Sequence, residues 1–447
     1  MRGPPRRLGA LRSSSEGNFV SKTAPQRGRH TVARHGALKS PHPFSVFMKA
    51  LGIVVAVVLV SGTGVAAYTV YDLAASYATE NTVELEEQVV VPPDIGAIEG
   101  GVNLFVAGTD ACEPEFAAIF GDRCSGSDSE GELNDVNMLV HISDAPRRVT
   151  VISFPRDLMI PIPSCDRGDG STSSAMSKQP LNSAFYAGGG ADGGGLSCVV
   201  KTISQLSGQS IPFAAKVTWG GVINITDAIG GVDVCVQGGI SDPLAGLYLP
   251  DGISTVSGTQ ALAFLRTRKG VGDGSDLGRI SNQQQYMSSL AKKLVSENVL
   301  SDPATLYRLA TVAIDNITKS SSLTNPLTLV QIALAIKDVP FSDIVFVQYP
   351  VNGDPDDPNK VVPNYAAADQ LWAALEANAP LELTGKAGAN GSVVDVTPTE
   401  EPAPEPTADP NATAAPTEAP AQDAAVLPNS ISGSTAAQTT CSVGNLG

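Results

Sequence analysis

Hydrophobic positions along this chain fall into three regimes. Between Phe44 and Tyr71 they run almost unbroken, with Lys49 as the one charge, and the nineteen residues from Ala50 to Tyr68 carry none. A helix of that length crosses a hydrocarbon layer of about 30 Å, so the run predicts a transmembrane helix over 44–71. From about residue 98 the pattern changes to short β-branched runs separated by stretches of helical period. VNLFVAG (102–108), VNMLVHI (136–142), RVTVISF (148–154), VDVCV (232–236) and IVFVQYP (344–350) predict strands, several apolar at consecutive positions as expected when both faces are covered. SCVVKTISQLSG, ISNQQQYMSSLAKKLVSEN, PATLYRLATVAIDNI, PLTLVQIALAIKDV and YAAADQLWAALEAN predict helices, with Pro303 and Pro326 placed where a first helical turn accepts proline. Thr, Pro, Glu and Ala then dominate and predict a disordered linker over 382–430, followed by a tail, 431–447, that carries Cys441.

Strands and helices interleaved over 98–381 predict a single α/β domain of αβα type, a central mixed β-sheet covered by helices. The arm before the apolar run, residues 1–43, holds nine Lys and Arg against Glu16 and predicts disorder. Its positive charge orients the span with the N-terminus in the cytoplasm, which makes the domain extracytoplasmic and leaves 72–97, with Val91-Pro92-Pro93 near its end, as a stalk. A secretory signal cleaved near Val65-Ala66-Ala67 is the competing reading; the long basic arm and long apolar core favour an uncleaved anchor in the cell membrane.

Charge narrows the function. The chain has a net charge of −16, but beyond Lys49 there remain 19 Lys and Arg against 44 Asp and Glu, a net −25, which excludes binding to nucleic acid through general electrostatics. All six cysteines lie beyond the apolar run, and an even count in an oxidising compartment predicts disulfides. Cys112 and Cys124, twelve apart, pair locally; Cys165 and Cys198 close the Gly- and Ser-rich stretch between them; Cys235 is left for Cys441 by elimination. Three of the four histidines, His30, His35 and His42, fall in the arm, and with His141 alone in the domain there is no zinc pattern.

Against that acidic background, Arg266, Arg268 and Arg279 fall within fourteen residues. On an extended segment the first two share a face, and guanidinium forks match phosphate oxygens. The bland alternative is surface arginines or partners of Asp273 and Asp276. Asp110 follows one predicted strand and Asp135 precedes the next, so an antiparallel pairing brings them together and a parallel one separates them. Two carboxylates near arginines suit Mg²⁺ held against phosphate, whereas two turn or capping residues are the plainer explanation of the spacing.

The blocks GTD, NDVNMLVHI, FPRDLMIPIP, LNSAFYAGG, GGVDV, QALAFLRTR and DLGRISNQQQ, in this order after one apolar anchor, resemble the motifs of the LytR-CpsA-Psr family from Val102 to Gln285. The resemblance implies a phosphotransferase that moves a glycopolymer from a polyprenyl-pyrophosphate carrier to peptidoglycan, forming a phosphodiester link in cell-wall assembly. It further implies that Asp110 and Asp135 hold Mg²⁺, that Arg266, Arg268 and Gln283 bind the pyrophosphate, and that Arg156 and Arg279 act in catalysis. Two positions depart from the family pattern: Leu133 and Asn282 stand where many members carry arginine. Three other readings remain: a non-catalytic polyprenyl-phosphate or glycan binder, a pyrophosphatase, and a membrane-bound transcriptional regulator, which the outward topology disfavours. For the lipid chain, the predicted helices between 284 and 375 offer a groove against the sheet. Asp157 and Asp276 are the candidate general bases.

Overall fold

The computed structural model describes residues 82–86, 101–121, 124, 131–296, 312, 316–324, 328, 331–332, 335–398 and 423–445. The basic arm, the apolar run 44–71 and most of the predicted helix 303–317 lie outside these residues. Among the described residues no helix is long and apolar enough to cross a membrane.

An eight-stranded mixed sheet forms the centre. Its strands are β1 (Thr82–Val83), β2 (Val102–Thr109), β3 (Asn134–Ile142), β4 (Val149–Phe154), β5 (Phe213–Thr218), β8 (Ile317–Ser320), β9 (Ile344–Gln348) and β11 (Gly433–Thr435). They run in the order β1-β8-β5-β2-β3-β4-β9-β11, with β2 parallel to β5 and β4 parallel to β9, and with β3 antiparallel to both β2 and β4. Every residue of β4 and β9 is buried, which is why both read as predominantly apolar runs without alternation.

Helices cover both faces. On one, α1 (Gly195–Ser207) and α5 (Tyr365–Glu376) pack Val199, Ile203, Leu371 and Trp372 against Phe105, Leu139 and Ile152. On the other, Met287 and Ala291 of α4 (Asp276–Ser296) join Ile332 and Ala335 against Met138, Val151 and Phe346. Truncating a fully buried residue such as Leu139 to alanine costs about 2–5 kcal/mol. Between the layers come α2 (Trp219–Ile229) and α3 (Gly258–Arg266). A four-stranded sheet in the order β7-β6-β12-β10 flanks α4, with β6 (Val232–Gln237), β7 (Gly252–Val256), β10 (Val393–Asp395) and β12 (Thr440–Val443). In β6 burial alternates along VDVCVQ, as befits a sheet with one covered face.

The sequence boundaries need correction at both ends of the domain. Thr82–Val83, assigned above to a stalk over 72–97, pair in parallel with β8, and Leu85 is buried. The range 382–430 is not linker throughout, because Leu381–Leu383 pairs with Ala425–Leu427 and Val393–Asp395 forms β10. The tail 431–447 supplies β11 to the central sheet and β12 to the flanking one. Its strands find their partners far away in sequence, in β9, β6 and β10. All three disulfides are present, Cys112–Cys124, Cys165–Cys198 and Cys235–Cys441, with Cα separations of 5.4, 5.4 and 4.5 Å.

Candidate functional site

The antiparallel register of β2 and β3 sets Thr109 opposite Asn134, so Asp110 and Asp135 emerge at the same sheet edge. Asp110 is fixed there by its neighbour across the strands: the Leu133 amide donates to Asp110 Oδ1 at 2.6 Å, and the Asp110 amide donates to the Leu133 carbonyl at 3.2 Å. Gly108, just before, faces Val136 so closely that a Cβ would come within 2.8 Å of the valine Cβ. Upstream of Asp135, Glu132 pairs with the buried Lys216 of β5 at 2.9 Å, tethering the segment to the sheet.

Arginines surround this edge. Arg156, two residues after β4, donates to Asp135 Oδ1 at 2.5 Å, and its Nε lies 3.6 Å from both Asp157 and Asp276. Burial pulls the Arg156 guanidinium down, but the charge and hydrogen bond of Asp135, with Asp276 and Asp157 behind it, outweigh burial and raise its pKa. On the first turn of α4, Arg279 donates to the Asp135 carbonyl at 2.9 Å and pairs with Asp276 at 2.7 Å. An acidic residue at a helix N-terminus is favourable in itself, and this one also orients the arginine three residues on. Burial pushes Arg279 down, against the pull of Asp276 and Asp135.

Arg266 and Arg268 do not sit on the extended segment expected from their spacing. Arg266 is the last residue of α3, and the chain turns out of the helix at Thr267, with ψ at 134°. That turn is held by the buried Asp242, whose Oδ2 accepts from Thr267 Oγ1 at 2.7 Å and from the Arg268 amide at 3.2 Å. The guanidinium of Arg266 lies over the ring of Trp219, 3.6 Å from its centroid, and burial lowers its pKa despite Asp135 and Asp110. Trp219 in turn meets Phe120 edge-on at 4.9 Å, inside the loop that Cys112–Cys124 closes. Glu113 of that loop accepts from the Gly220 amide at 2.8 Å and from the Thr218 hydroxyl, satisfying the exposed N-terminus of α2.

Asp135, Arg266, Arg279 and Gln283 line part of a cavity of about 250 Å³. Its interior is apolar, walled by Val136 and Met138 of the sheet, Val222 and Ile225 of α2, and Met287 and Leu290 of α4. Of the helices expected between 284 and 375 to form a groove, much of 297–334 lies outside the described residues; among the described residues α4 lines this cavity, while α5 packs on the opposite face of the sheet, where Trp372 meets Tyr349.

The two departures from the family pattern have structural explanations. Asn282 is fully buried; its Nδ2 donates to the Phe264 carbonyl at 2.6 Å and its Oδ1 accepts from Ser442 Oγ at 2.5 Å, so it ties α3 to the C-terminal strand. Leu133 is half exposed, and its backbone is what holds Asp110. Asp157 pairs with Lys360 as well as Arg156, and Asp276 is committed to two arginines, so neither candidate base stands apart from an ion pair.

The donor set fits a hard divalent cation. Two carboxylates share one sheet edge, and beside Asp110 the buried Thr109 Oγ1 has no hydrogen-bond partner among the described residues. Among those residues no group of three or more His, Cys, Asp or Glu gathers as a metal cage. Mg²⁺ takes one or two protein carboxylates and fills its shell with water and phosphate. Sequence reasoning missed Trp219 and Asp242. The first is one of only two tryptophans in the chain, and the second reads in SDPLAG as a plain turn residue.

Fold and site together define a mixed α/β protein in which Asp135, Arg266 and Arg279 line an otherwise apolar cavity, with Asp110, Arg156 and Arg268 close enough to act on them electrostatically. The chain belongs to the LytR_cpsA_psr family, whose model matches residues 65–377. It is 27% identical over 278 residues to the cell wall biosynthesis protein LcpA of Corynebacterium glutamicum, a match covering 58% of this chain and 51% of the relative. The chain thus spans about half the length of LcpA. Against the polyisoprenyl-teichoic acid–peptidoglycan teichoic acid transferase TagU of Bacillus mycoides it is 29% identical, over 55% of this chain and 70% of the relative. A solved LytR-Csp2A-Psr enzyme from Actinomyces oris aligns with a TM-score of 0.43 at 22% identity, over 66% of this chain and 96% of that one.

Proposed function

We propose that this protein transfers a glycopolymer from a polyprenyl-pyrophosphate carrier to peptidoglycan, forming a phosphodiester link. The observation that carries the reading is the junction of opposites in one cavity: the charged Asp135, Arg266 and Arg279 beside an otherwise apolar lining. A lipid pyrophosphate has that same division, a doubly charged head on a hydrocarbon tail. Arg266 and Arg268 clamp the pyrophosphate, Gln283 lines its approach, and Arg156 and Arg279 neutralise charge that builds on the transferring phosphoryl group. Asp110 and Asp135 are the residues that would hold Mg²⁺, which supplies positive charge against the phosphate oxygens.

A hydroxyl of the peptidoglycan glycan attacks the phosphorus next to the sugar, the bond to the bridging oxygen breaks, and polyprenyl phosphate leaves. Positioning and preorganised charge do most of this work, because phosphoryl transfer asks little covalent chemistry of the protein. The apolar run 44–71 and the basic arm before it support anchoring in the cell membrane with this domain outside. A reporter fused after residue 80 that is active in the cytoplasm would overturn that topology.

The reaction is tested by incubating the full-length protein in detergent with a polyprenyl-pyrophosphate glycan and Mg²⁺, with and without peptidoglycan, and weighing the products. Acceptor-dependent formation of a glycan–phosphate–peptidoglycan adduct is expected. Release of glycan phosphate that ignores the acceptor identifies a pyrophosphatase instead.

A further inference from the structure

A second cavity, of about 390 Å³, opens beside the N-terminus of α4, and its lining is far more polar than that of the first. One wall comes from the family-matched core, with Leu277, Gln348 and Val351; the other comes from residues 384–432, beyond the end of that match. The second wall presents Lys386, Asn429 and Ser430, all exposed. It is fastened to α4: the Ala389 amide donates to Ser281 Oγ at 2.8 Å, and Asn390 Nδ2 donates to Ser275 Oγ at 3.1 Å. Lining the core side is Gln348, only 5% exposed, whose Nε2 has no hydrogen-bond partner among the described residues. A buried amide left without a partner is costly, which is the signature of a group waiting for a ligand.

Position says which ligand. Leu277 faces this cavity and Arg279 faces the apolar one; two residues apart on a helix, they point about 200° from each other. The first turn of α4 therefore borders both cavities. In phosphoryl transfer the attacking and leaving oxygens lie roughly in line across the phosphorus. With polyprenyl phosphate leaving on the apolar side, the nucleophile approaches from the side of the polar cavity. Amides, hydroxyls and one ammonium suit a strand rich in hydroxyl and acetamido groups that also bears carboxylates.

We propose that this cavity binds the acceptor, the glycan strand of peptidoglycan, with Gln348 as a buried hydrogen-bond donor and Lys386 and Asn429 as exposed contacts. The inference rests on the transfer reaction proposed above and adds the place of the acceptor. The test is direct binding of a soluble, uncrosslinked peptidoglycan glycan oligomer to the full-length protein in detergent, beside binding of the polyprenyl-pyrophosphate donor. Lys386→Ala combined with Asn429→Ala, both at exposed positions, weakens oligomer binding about tenfold, as expected for two lost hydrogen-bonding side chains, and spares donor binding. Gln348→Leu weakens the oligomer in the same way while the melting temperature holds or rises, because it removes an amide that the fold leaves unpaired. Unchanged oligomer binding in both variants, a loss confined to the donor, or a wild-type protein that does not bind the oligomer would each overturn the assignment. A wild-type protein that binds the oligomer here yet transfers nothing keeps the cavity and sinks the reaction.

Discussion

The guanidinium of Arg266 rests on the face of Trp219, 3.6 Å from the ring centroid, at the point where α3 ends and the cavity begins. Stacking leaves the edge of the fork, and its donors, free to meet an anion. Trp219→Leu is expected to lower kcat/KM for the lipid donor about tenfold or more, since a desolvated cation–π contact contributes about 2 kcal/mol and its loss lets the arginine wander. Trp219→Phe, which keeps a ring face, recovers part of the loss. Steady-state kinetics with varied donor distinguish the two.

Removing the clamp itself has a larger effect. Arg266→Ala or Arg268→Ala abolishes transfer while circular dichroism stays close to wild type, Arg266→Ala also lowers the melting temperature through the lost stacking on Trp219, and lysine at either position rescues poorly because a point charge replaces a planar fork. Near wild-type turnover in both alanine variants refutes the clamp.

Asp242 acts on Arg268 through the backbone. Burial pushes its carboxyl up, but hydrogen bonds from Thr267 and from the amides of Ala245, Arg268 and Gly270 outweigh burial and hold its pKa below the ordinary value. Its stabilising contribution is therefore complete above the usual aspartate value of about 3.9 and is lost as pH falls through the lower folded value. Asp242→Asn removes that acid-side loss and raises the donor KM at neutral pH, both read from pH–activity and pH–melting profiles.

Asp110→Asn and Asp135→Asn each weaken metal dependence, because a neutral amide loses the charge that holds a hard cation. Titrating Mg²⁺ against activity gives a midpoint shifted upward by about tenfold or more in either variant. Full activity of the wild-type protein in excess chelator contradicts the metal assignment.

Cys441→Ser frees β12 from β6 and, with it, the wall that Asn282 and Ser442 knit to α3. The bridge closes a span of 206 residues, so its loss is expected to cost about 2–5 kcal/mol of stability. Thermal unfolding under non-reducing conditions measures it, and a melting temperature equal to wild type refutes the docked end.

How far these features were legible in the sequence follows from the range of the interactions that make them. The strands β4 and β9 were plain because burial on both faces writes a predominantly apolar, β-branched run. Asp110 and Asp135 needed one further fact, the antiparallel register of β2 and β3, which spacing alone left open. The arginine pair was visible but its setting was not: Arg266 ends a helix, and the turn to Arg268 depends on Asp242, 24 residues upstream of Arg266. Least legible was the C-terminal part. Short strands such as Thr440–Val443 carry little pattern of their own and are specified by partners elsewhere in the chain, β10 and the far more distant β6.

The central claim is most directly tested by the fate of the two phosphorus atoms of the donor. A polyprenyl-pyrophosphate glycan labelled at the sugar-proximal phosphorus, incubated with the full-length protein, Mg²⁺ and peptidoglycan, is predicted to leave its label covalently in peptidoglycan. A donor labelled at the lipid-proximal phosphorus is predicted to yield labelled polyprenyl phosphate and unlabelled peptidoglycan. Sugar-proximal label recovered only in soluble glycan phosphate, or peptidoglycan that acquires glycan without phosphorus, would contradict the account.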